Sequence, residues 1–118
     1  AELKEGIKPY QVVEDTFPAG TLSGAPKHKA LELIEKYEKV NRNFYGGAIG
    51  FIDFSGNFNH AIIIRSFFSK NNILNYQAGA GIVIDSDPEK ELEEVQNKLG
   101  ALDKALIEAE LIKWKKYF

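Results

Sequence analysis

The chain has 118 residues, 44% of them hydrophobic and 27% charged, which is enough for one globular domain with a core. Its net charge of -2 gives no basic surface for nucleic acid, and no apolar run is long enough to cross a bilayer. No cysteine is present, which excludes disulfides and thiol catalysis, and no signal peptide is recognisable, so we expect a cytoplasmic protein.

The first part of the chain predicts one helix after a loop. Residues 1–14 are polar and indistinct, and we interpret them as an irregular leader, in which Tyr10, Val12 and Val13 could form a short strand or the end of a helix. A loop rich in glycine and proline follows at residues 17–27 (FPAGTLSGAPK). Ser23 is a candidate N-cap and Pro26 suits the first turn of a helix over residues 26–39. Its apolar side chains recur at helical spacing, at Ala30, Leu33, Ile34 and Tyr37.

Three strands are predicted next, over residues 44–54, 59–70 and 73–84. The short turns between them favour an antiparallel meander flanked by two helices, an α+β arrangement. Residues 61–64 are continuously apolar, which indicates a strand covered on both faces, and two helices cover only one. Together with the absence of methionine, this predicts a piece of a longer protein.

The last helix is predicted from Pro88 to the C-terminus, with Asp85 or Asp87 as its N-cap. Glu91, Glu94 and Lys98 then lie on one face of this helix. Two carboxylates one turn apart can ligate a hard cation such as Mg²⁺. The same spacing also fits a surface ion pair between Glu94 and Lys98, and the sequence pattern does not choose between the two.

A turn of small residues precedes this helix, at residues 77–83 (QAGAGIV). Glycines at positions 79 and 81 allow unusual dihedral angles and close approach of a ligand, and free amides in such a turn suit an anion. We therefore expect an anion site beside a metal held by Glu91 and Glu94. A plain strand–turn–helix connection with an acidic first turn is the alternative.

Five segments in this order resemble the motifs of chorismate-utilising enzymes. They are FPAGTLSGAPK at 17–27, YGGAIG at 45–50, IRS at 64–66, QAGAGIV at 77–83, and DSDP at 85–88 with its following acidic helix. The resemblance covers about residues 15–110. The PAGT wording at 18–21 is similar to anthranilate synthase large subunits, whereas aminodeoxychorismate synthases more often have PGGS there.

The resemblance implies that residues 1–118 are the incomplete C-terminal part of a chorismate-binding domain with a larger αββα sandwich fold. It implies a parent enzyme that converts chorismate to anthranilate and pyruvate in tryptophan biosynthesis. Ammonia would come from glutamine through a partner amidotransferase subunit, and Mg²⁺ would be required. The isolated chain, without the N-terminal part of the domain, is expected to be inactive.

The resemblance also implies roles for individual residues, and it implies no catalytic acid or base within this chain. Chorismate is a dianion, and a guanidinium fork suits a carboxylate. By resemblance, Arg65 and Tyr45 lie near the enolpyruvyl carboxylate, and Thr21 lines the pocket. The ring carboxylate would meet the amides of Gly79, Ala80 and Gly81, with Lys98 nearby. Glu91 and Glu94 would hold Mg²⁺.

Two other hypotheses remain open at this stage. The chain could be an autonomous interaction module that kept the fold without the chemistry, which predicts a stable monomer. A piece of the enzyme instead predicts exposed apolar sheet surface and homodimers through exposed strands. The third hypothesis is a sibling enzyme such as aminodeoxychorismate synthase, which product analysis distinguishes.

Overall fold

The computed structural model describes residues 2–112. These residues form two compact units, one up to Ile64 and one that begins at Arg65. The helices are α1 (Pro9–Thr16), α2 (Gly20–Ser23), α3 (Lys27–Tyr37) and α4 (Pro88–Leu111). The strands are β1 (Ala48–Ile52), β2 (Phe58–Ile62), β3 (Phe68–Lys70) and β4 (Ile73–Asn75).

Helix α1 starts where the sequence places a proline. Pro9 occupies the first turn, in which a missing N–H has no helical partner to lose, and the Lys8 amide donates to Gln11 Oε1 at 2.8 Å. We expected an irregular leader over residues 1–14. Residues 2–8 carry no helix or strand, whereas the helix covers Pro9–Thr16.

Helix α3 confirms the helix predicted after the glycine- and proline-rich loop, but its predicted cap is wrong. Ser23 ends α2, and its hydroxyl donates to the Ala19 carbonyl at 3.2 Å. Pro26 occupies the N-cap position of α3 rather than its first turn. The chain between them turns at Gly24, whose φ of 111° disfavours any other residue.

In the first unit, β1 and β2 form an antiparallel hairpin with Ala48 opposite Ile62 and Ile52 opposite Phe58. Gly50 is required in this ladder, because a Cβ there would lie 2.2 Å from the Asn59 carbonyl oxygen. Beyond the ladder, the Gly46 amide donates to Ile63 O at 2.9 Å and the Ile63 amide to Gly47 O at 2.8 Å.

In the second unit, β3 and β4 form a separate antiparallel hairpin, with Phe68 opposite Asn75. Its turn residues Asn71 and Asn72 have φ of 53° and 61°, as a tight two-residue hairpin turn requires. The α+β class stands, but the three-stranded meander is wrong, since the strands form two sheets of two. The predicted strand over 59–70 breaks at Arg65, whose left-handed φ of 50° is incompatible with a continuous strand. The predicted strand over 73–84 ends at Asn75.

Helix α4 begins after Asp87, one of the two predicted caps. The Asp87 carboxylate accepts hydrogen bonds from the amides of Glu89 and Lys90, both at 3.0 Å. The predicted extension of this helix to the C-terminus, including Trp114 and its neighbouring lysines, lies outside the described residues. Within residues 2–112, no helix is both long and apolar enough to cross a membrane.

Burial is sparse in the described part of the chain. Leu102 on α4 is the buried hydrophobic residue, with 8% of its surface accessible. Hairpin β1–β2 exposes large apolar side chains instead: Ile49 is 66% and Phe51 is 65% exposed. These two residues share one face of β1, because alternate residues point the same way. The exposed apolar sheet surface that we expected for a piece of an enzyme is therefore present.

Candidate functional site

An open cleft of about 760 Å³ lies in the second unit, along one face of α4. Its lining is mainly charged and polar and comes from Arg65 and from helical positions spaced by three and four residues. The helical lining residues are Lys90, Glu93, Glu94, Asn97, Lys98, Ala101 and Leu102. The cleft therefore brings together three residues predicted for the site: Arg65, Glu94 and Lys98.

Arg65 reaches this cleft from an irregular stretch rather than from a strand. The sequence predicted Arg65 within the strand over residues 59–70. The structure instead places it between β2 and β3, with a left-handed backbone. Non-glycine residues rarely hold a positive φ, and such positions concentrate where surrounding contacts or function demand them. Arg65 is exposed, so its guanidinium is available to an anion from solvent.

Lys98 connects α4 to the glycine-containing segment. Its Nζ donates to the Gly79 carbonyl at 2.8 Å and contacts Glu94 Oε1 at 2.5 Å. The predicted i,i+4 pair with Glu94 is therefore present, and Lys98 also lines the cleft. The pair is partly solvent-exposed, so the ion pair by itself adds little stability.

Glu91 and Glu94 lie one turn apart on α4, and each already has a partner. Glu91 Oε1 accepts from the Ser86 hydroxyl at 2.7 Å, and Ser86 Oγ in turn accepts from the Val83 amide at 3.0 Å. Glu94 lines the cleft, whereas Glu91 is not among its lining residues. The other oxygen of each carboxylate has no partner among residues 2–112.

Carboxylate oxygens are the donors that Mg²⁺ prefers, so the chemistry of these two side chains fits a hard cation. The described residues contain no group of three or more His, Cys, Asp or Glu side chains that could hold a metal. Two carboxylates leave most of an octahedral shell to be filled by water or ligand oxygens, which is the usual manner of Mg²⁺ binding.

The segment at residues 79–81 lies beside Lys98 and keeps its amides available. Gly79 and Ala80 are half-buried, and within residues 2–112 the amides of Gly79, Ala80 and Gly81 have no hydrogen-bond partner. A Cβ built on Gly81 would meet nothing within 4 Å, so the chain leaves open space there. The φ of Gly81 is not left-handed, so the conformational freedom of glycine is not used at this position.

Thr21 and Tyr45 both belong to the first unit. Thr21 is exposed on the short helix α2. Tyr45 is half-buried, and the Arg42 guanidinium carbon lies 5.8 Å from its ring centroid. Arg42 also donates hydrogen bonds from two nitrogens to the Glu38 carboxylate, at 2.8 and 2.5 Å. A third nitrogen donates to the Leu22 carbonyl at 2.6 Å. The hydrogen bond with Glu38 raises the pKa of Arg42.

The sequence model of a family described as "chorismate binding enzyme" matches residues 1–104. This chain belongs to that family. The resemblance to chorismate-utilising enzymes is thereby confirmed, over a slightly longer range than the five motifs covered.

Curated relatives of this family member carry the name "Anthranilate synthase component 1". The chain is 50% identical to the proteins of that name from Aquifex aeolicus over 109 residues and from Acetivibrio thermocellus over 108 residues. It is 49% identical to the one from Bacillus subtilis over 108 residues. Each comparison covers 92% of this chain. The chain spans about a fifth of the length of these relatives (22%, 22% and 21%).

Sequence reasoning about this member of the family missed several residues of the site. Lys90 and Asn97 line the cleft, and helical spacing from Glu94 could have found them. The hydrogen bond from the Tyr76 hydroxyl to Asp103 had no local signal, because the two residues are 27 positions apart. Ser86 lies within the DSDP motif and links the turn to Glu91, a role that the motif alone does not predict.

Proposed function

We propose that this chain is part of the large subunit of an anthranilate synthase, a lyase of tryptophan biosynthesis. That subunit would convert chorismate, with ammonia released from glutamine, into anthranilate and pyruvate. The observation that carries the proposal is about 50% identity to proteins named anthranilate synthase component 1 across nearly the whole chain. The cleft that joins Arg65, Glu94 and Lys98 supports it, because a dianionic substrate needs clustered cations.

In this proposal the chain's own groups bind and orient the two carboxylates of chorismate. Arg65 takes the enolpyruvyl carboxylate through its planar fork of donors. The unpaired amides of Gly79, Ala80 and Gly81 donate to the ring carboxylate, and Lys98 adds a positive charge beside them. The chain supplies binding and orientation here, and we assign no acid or base to it.

Glu91 and Glu94 would hold Mg²⁺ through their uncommitted oxygens, directly or through water. When bound, the ion would neutralise charge on the ring carboxylate of the substrate. Two protein carboxylates without a third would hold such an ion weakly until a ligand carboxylate joins them.

The proposal includes partners and a location. A glutamine amidotransferase subunit would supply ammonia, as the word "component" in the relatives' names suggests. The rest of the chorismate-binding domain would pack on the exposed apolar face of hairpin β1–β2. The location would be cytoplasmic, because a dianion crosses a bilayer poorly and must meet its enzyme where it is made.

Product analysis of the complete gene product tests the activity. With chorismate, ammonium and Mg²⁺, we expect anthranilate, detected by its fluorescence, and equimolar pyruvate. Aminodeoxychorismate as the product would assign the protein to the sibling enzyme, and the absence of any chorismate turnover would overturn the proposal.

Matched variants of the gene product test the site. Arg65→Gln should raise the KM for chorismate roughly tenfold or more, because hydrogen bonds to charged groups are among the strong ones. Lys70→Gln removes a cation from β3, outside the cleft, and should leave KM unchanged. For the metal, calorimetric Mg²⁺ binding in the presence of chorismate should be lost in Glu94→Gln and retained in Glu110→Gln. Equal effects within either pair would contradict the assigned roles.

A further inference from the structure

Tyr76 makes two side-chain contacts within the second unit. Its hydroxyl donates to Asp103 Oδ1 on α4. Its ring packs edge-on against Phe67, with ring centroids 5.5 Å apart and planes at 72°. Phe67 lies two residues after Arg65, and Tyr76 directly precedes the segment at residues 77–83. One tyrosine therefore joins both non-helical parts of the candidate site to the helix.

Three hydrogen bonds attach residues 76–86 to α4 in a regular order. Tyr76 bonds to Asp103, Gly79 to Lys98, and Ser86 to Glu91. As the segment advances along the chain, its partners step back along the helix, so the segment runs antiparallel to α4. The first and last partners are twelve positions apart on the helix, or about 18 Å. The unpaired amides of residues 79–81 lie between the first and last of these attachments.

Without the attachment at Tyr76, the side-chain hydrogen bonds from this segment to α4 among residues 2–112 would be those of Lys98 and Ser86. Lys98 is a flexible, hydrated cation that can rotate about four carbon–carbon bonds. A phenol is rigid, because only two side-chain torsions move it. Tyr76 therefore sets the position of residues 79–81 along α4 more narrowly than Lys98 can.

We propose that Tyr76 and Asp103 form a positioning pair that fixes the amides of residues 79–81 relative to Lys98, so that the three amides meet an anionic ligand in one geometry. The proposal rests on the function proposed above and adds two residues to its binding machinery. The hydrogen bond to Asp103 raises the pKa of Tyr76, which keeps the hydroxyl a proton donor. Neither residue touches the ligand in this role.

Three variants of the complete gene product test the pair. Tyr76→Phe removes the hydroxyl and keeps the ring contact with Phe67. Asp103→Ala removes the acceptor, and Asp103→Asn keeps an acceptor oxygen. Tyr37→Phe is the control for loss of a phenol hydroxyl, since Tyr37 is 66% exposed and its hydroxyl has no hydrogen-bond partner among residues 2–112. Glu108→Ala is the control for loss of a carboxylate from α4.

We expect Tyr76→Phe and Asp103→Ala each to raise the KM for chorismate roughly threefold to tenfold, the range of one hydrogen bond, with less change in kcat. The double variant should be no worse than either single variant, because both remove the same bond. Asp103→Asn should stay within about twofold of the wild type, since one neutral acceptor replaces a charged one. Both controls should leave KM unchanged.

Hydrogen exchange at the Val83 amide, which donates to Ser86 Oγ within the same segment, gives a second measurement that does not need turnover. We expect faster exchange there in Tyr76→Phe and Asp103→Ala but not in Asp103→Asn or the controls. Unchanged KM and exchange in Tyr76→Phe would overturn the positioning role, as would an Asp103→Asn variant as impaired as Asp103→Ala. If the wild-type protein forms no anthranilate, the proposed function fails by itself, and the exchange rates alone decide the positioning role.

Discussion

At the scale of single residues, Lys98 is the most connected side chain of the candidate site. It lines the cleft, contacts Glu94 and donates to the Gly79 carbonyl, so one ammonium joins a helix, a carboxylate and a loop. Its contact with Gly79 spans 19 positions of sequence and holds a segment that has no helix or strand of its own.

We expect Lys98→Met to lower the free energy of unfolding by about 1 kcal/mol, the net value of one hydrogen bond, because methionine keeps the apolar stem and removes the donor. Lys104→Met is the matched control on the same helix: its i,i+4 partner Glu108 is 3.9 Å away and both side chains are exposed. The control should change stability by less than about 0.5 kcal/mol. Urea denaturation of the two variants makes the comparison, and equal losses would contradict the role of the Gly79 contact.

The sequence predicted part of this residue-scale picture. Helical spacing correctly paired Glu94 with Lys98, because i and i+4 are neighbours on any helix. The family motif indicated Arg65, and the cleft contains it. The left-handed backbone of Arg65 was not predictable, since its neighbours Ile64 and Phe67 have strong strand propensity and only tertiary contacts can override it.

At the scale of elements, helix α4 behaves as its sequence predicts. A cap, a proline in the first turn and acidic residues near the N-terminus act together there. Such local signals depend on a few adjacent residues, so they can be recognised from the sequence alone.

We expect Asp87→Ala to destabilise the protein by about 1 kcal/mol, because the amides of Glu89 and Lys90 lose their acceptor. Asp87→Ser retains a capping oxygen and should lose only a few tenths of a kcal/mol. Chemical denaturation followed by circular dichroism provides the measurement. A serine variant as unstable as the alanine variant would show that the carboxylate acts through its charge rather than as a cap.

Strands were the poorly predicted elements. The segment over residues 73–84 has an apolar composition, yet pairing ends at Asn75 and the following residues bond to α4 through side chains. An apolar composition predicts that a segment packs against another element, but it does not predict whether that element is a strand or a helix. The break at Arg65 likewise divided one apolar run into β2 and β3.

The turn of hairpin β1–β2 gives a pH-dependent prediction. Hydrogen bonds from the Asn57 side chain and from the amides of Asn57 and Ser55 lower the pKa of Asp53. A carboxyl group whose pKa is lowered by folding stabilises the folded state above its ordinary pKa of about 3.9. We therefore expect that contribution to be lost as the pH falls below about 4.

Asp53→Asn should remove this part of the pH dependence, measured as the difference in unfolding free energy between pH 6 and pH 3. Asp85→Asn is the control, because Asp85 is exposed and has no hydrogen-bond partner within residues 2–112. If Asp53→Asn loses as much unfolding free energy between pH 6 and pH 3 as the wild type does, the pH dependence of stability comes from other carboxylates.

At the scale of the whole molecule, the described chain buries little and exposes much of its apolar surface. Phe54 and Ile84 are almost completely exposed, and Ile82 is 72% exposed. Exposed apolar surface of this kind marks an interface or an aggregation-prone face. The relatives are about five times as long, which agrees with further polypeptide covering these faces in the family.

We expect the isolated 118-residue chain to self-associate through hairpin β1–β2. A double variant, Ile49→Lys with Phe51→Lys, should shift it towards the monomer, because charges on a strand face oppose pairing with a second sheet. Ser69→Lys with Gln96→Lys adds the same charge at exposed polar positions and should leave association unchanged. Size-exclusion chromatography with light scattering decides the matter, and a monomeric wild-type chain would favour an autonomous module.

The ammonium of Lys98 has one more hydrogen-bond donor than its two contacts use. Three protons point away from Nζ in a tetrahedral arrangement, and Gly79 and Glu94 engage two of them. The third N–H group can donate a hydrogen bond to an anion while the bonds to Gly79 and Glu94 remain in place. A guanidinium carries more donors but holds them in one plane, whereas the three protons of an ammonium spread around the nitrogen in three dimensions. Lys98 can thus bind an anion through the same nitrogen atom that holds the Gly79 carbonyl and Glu94.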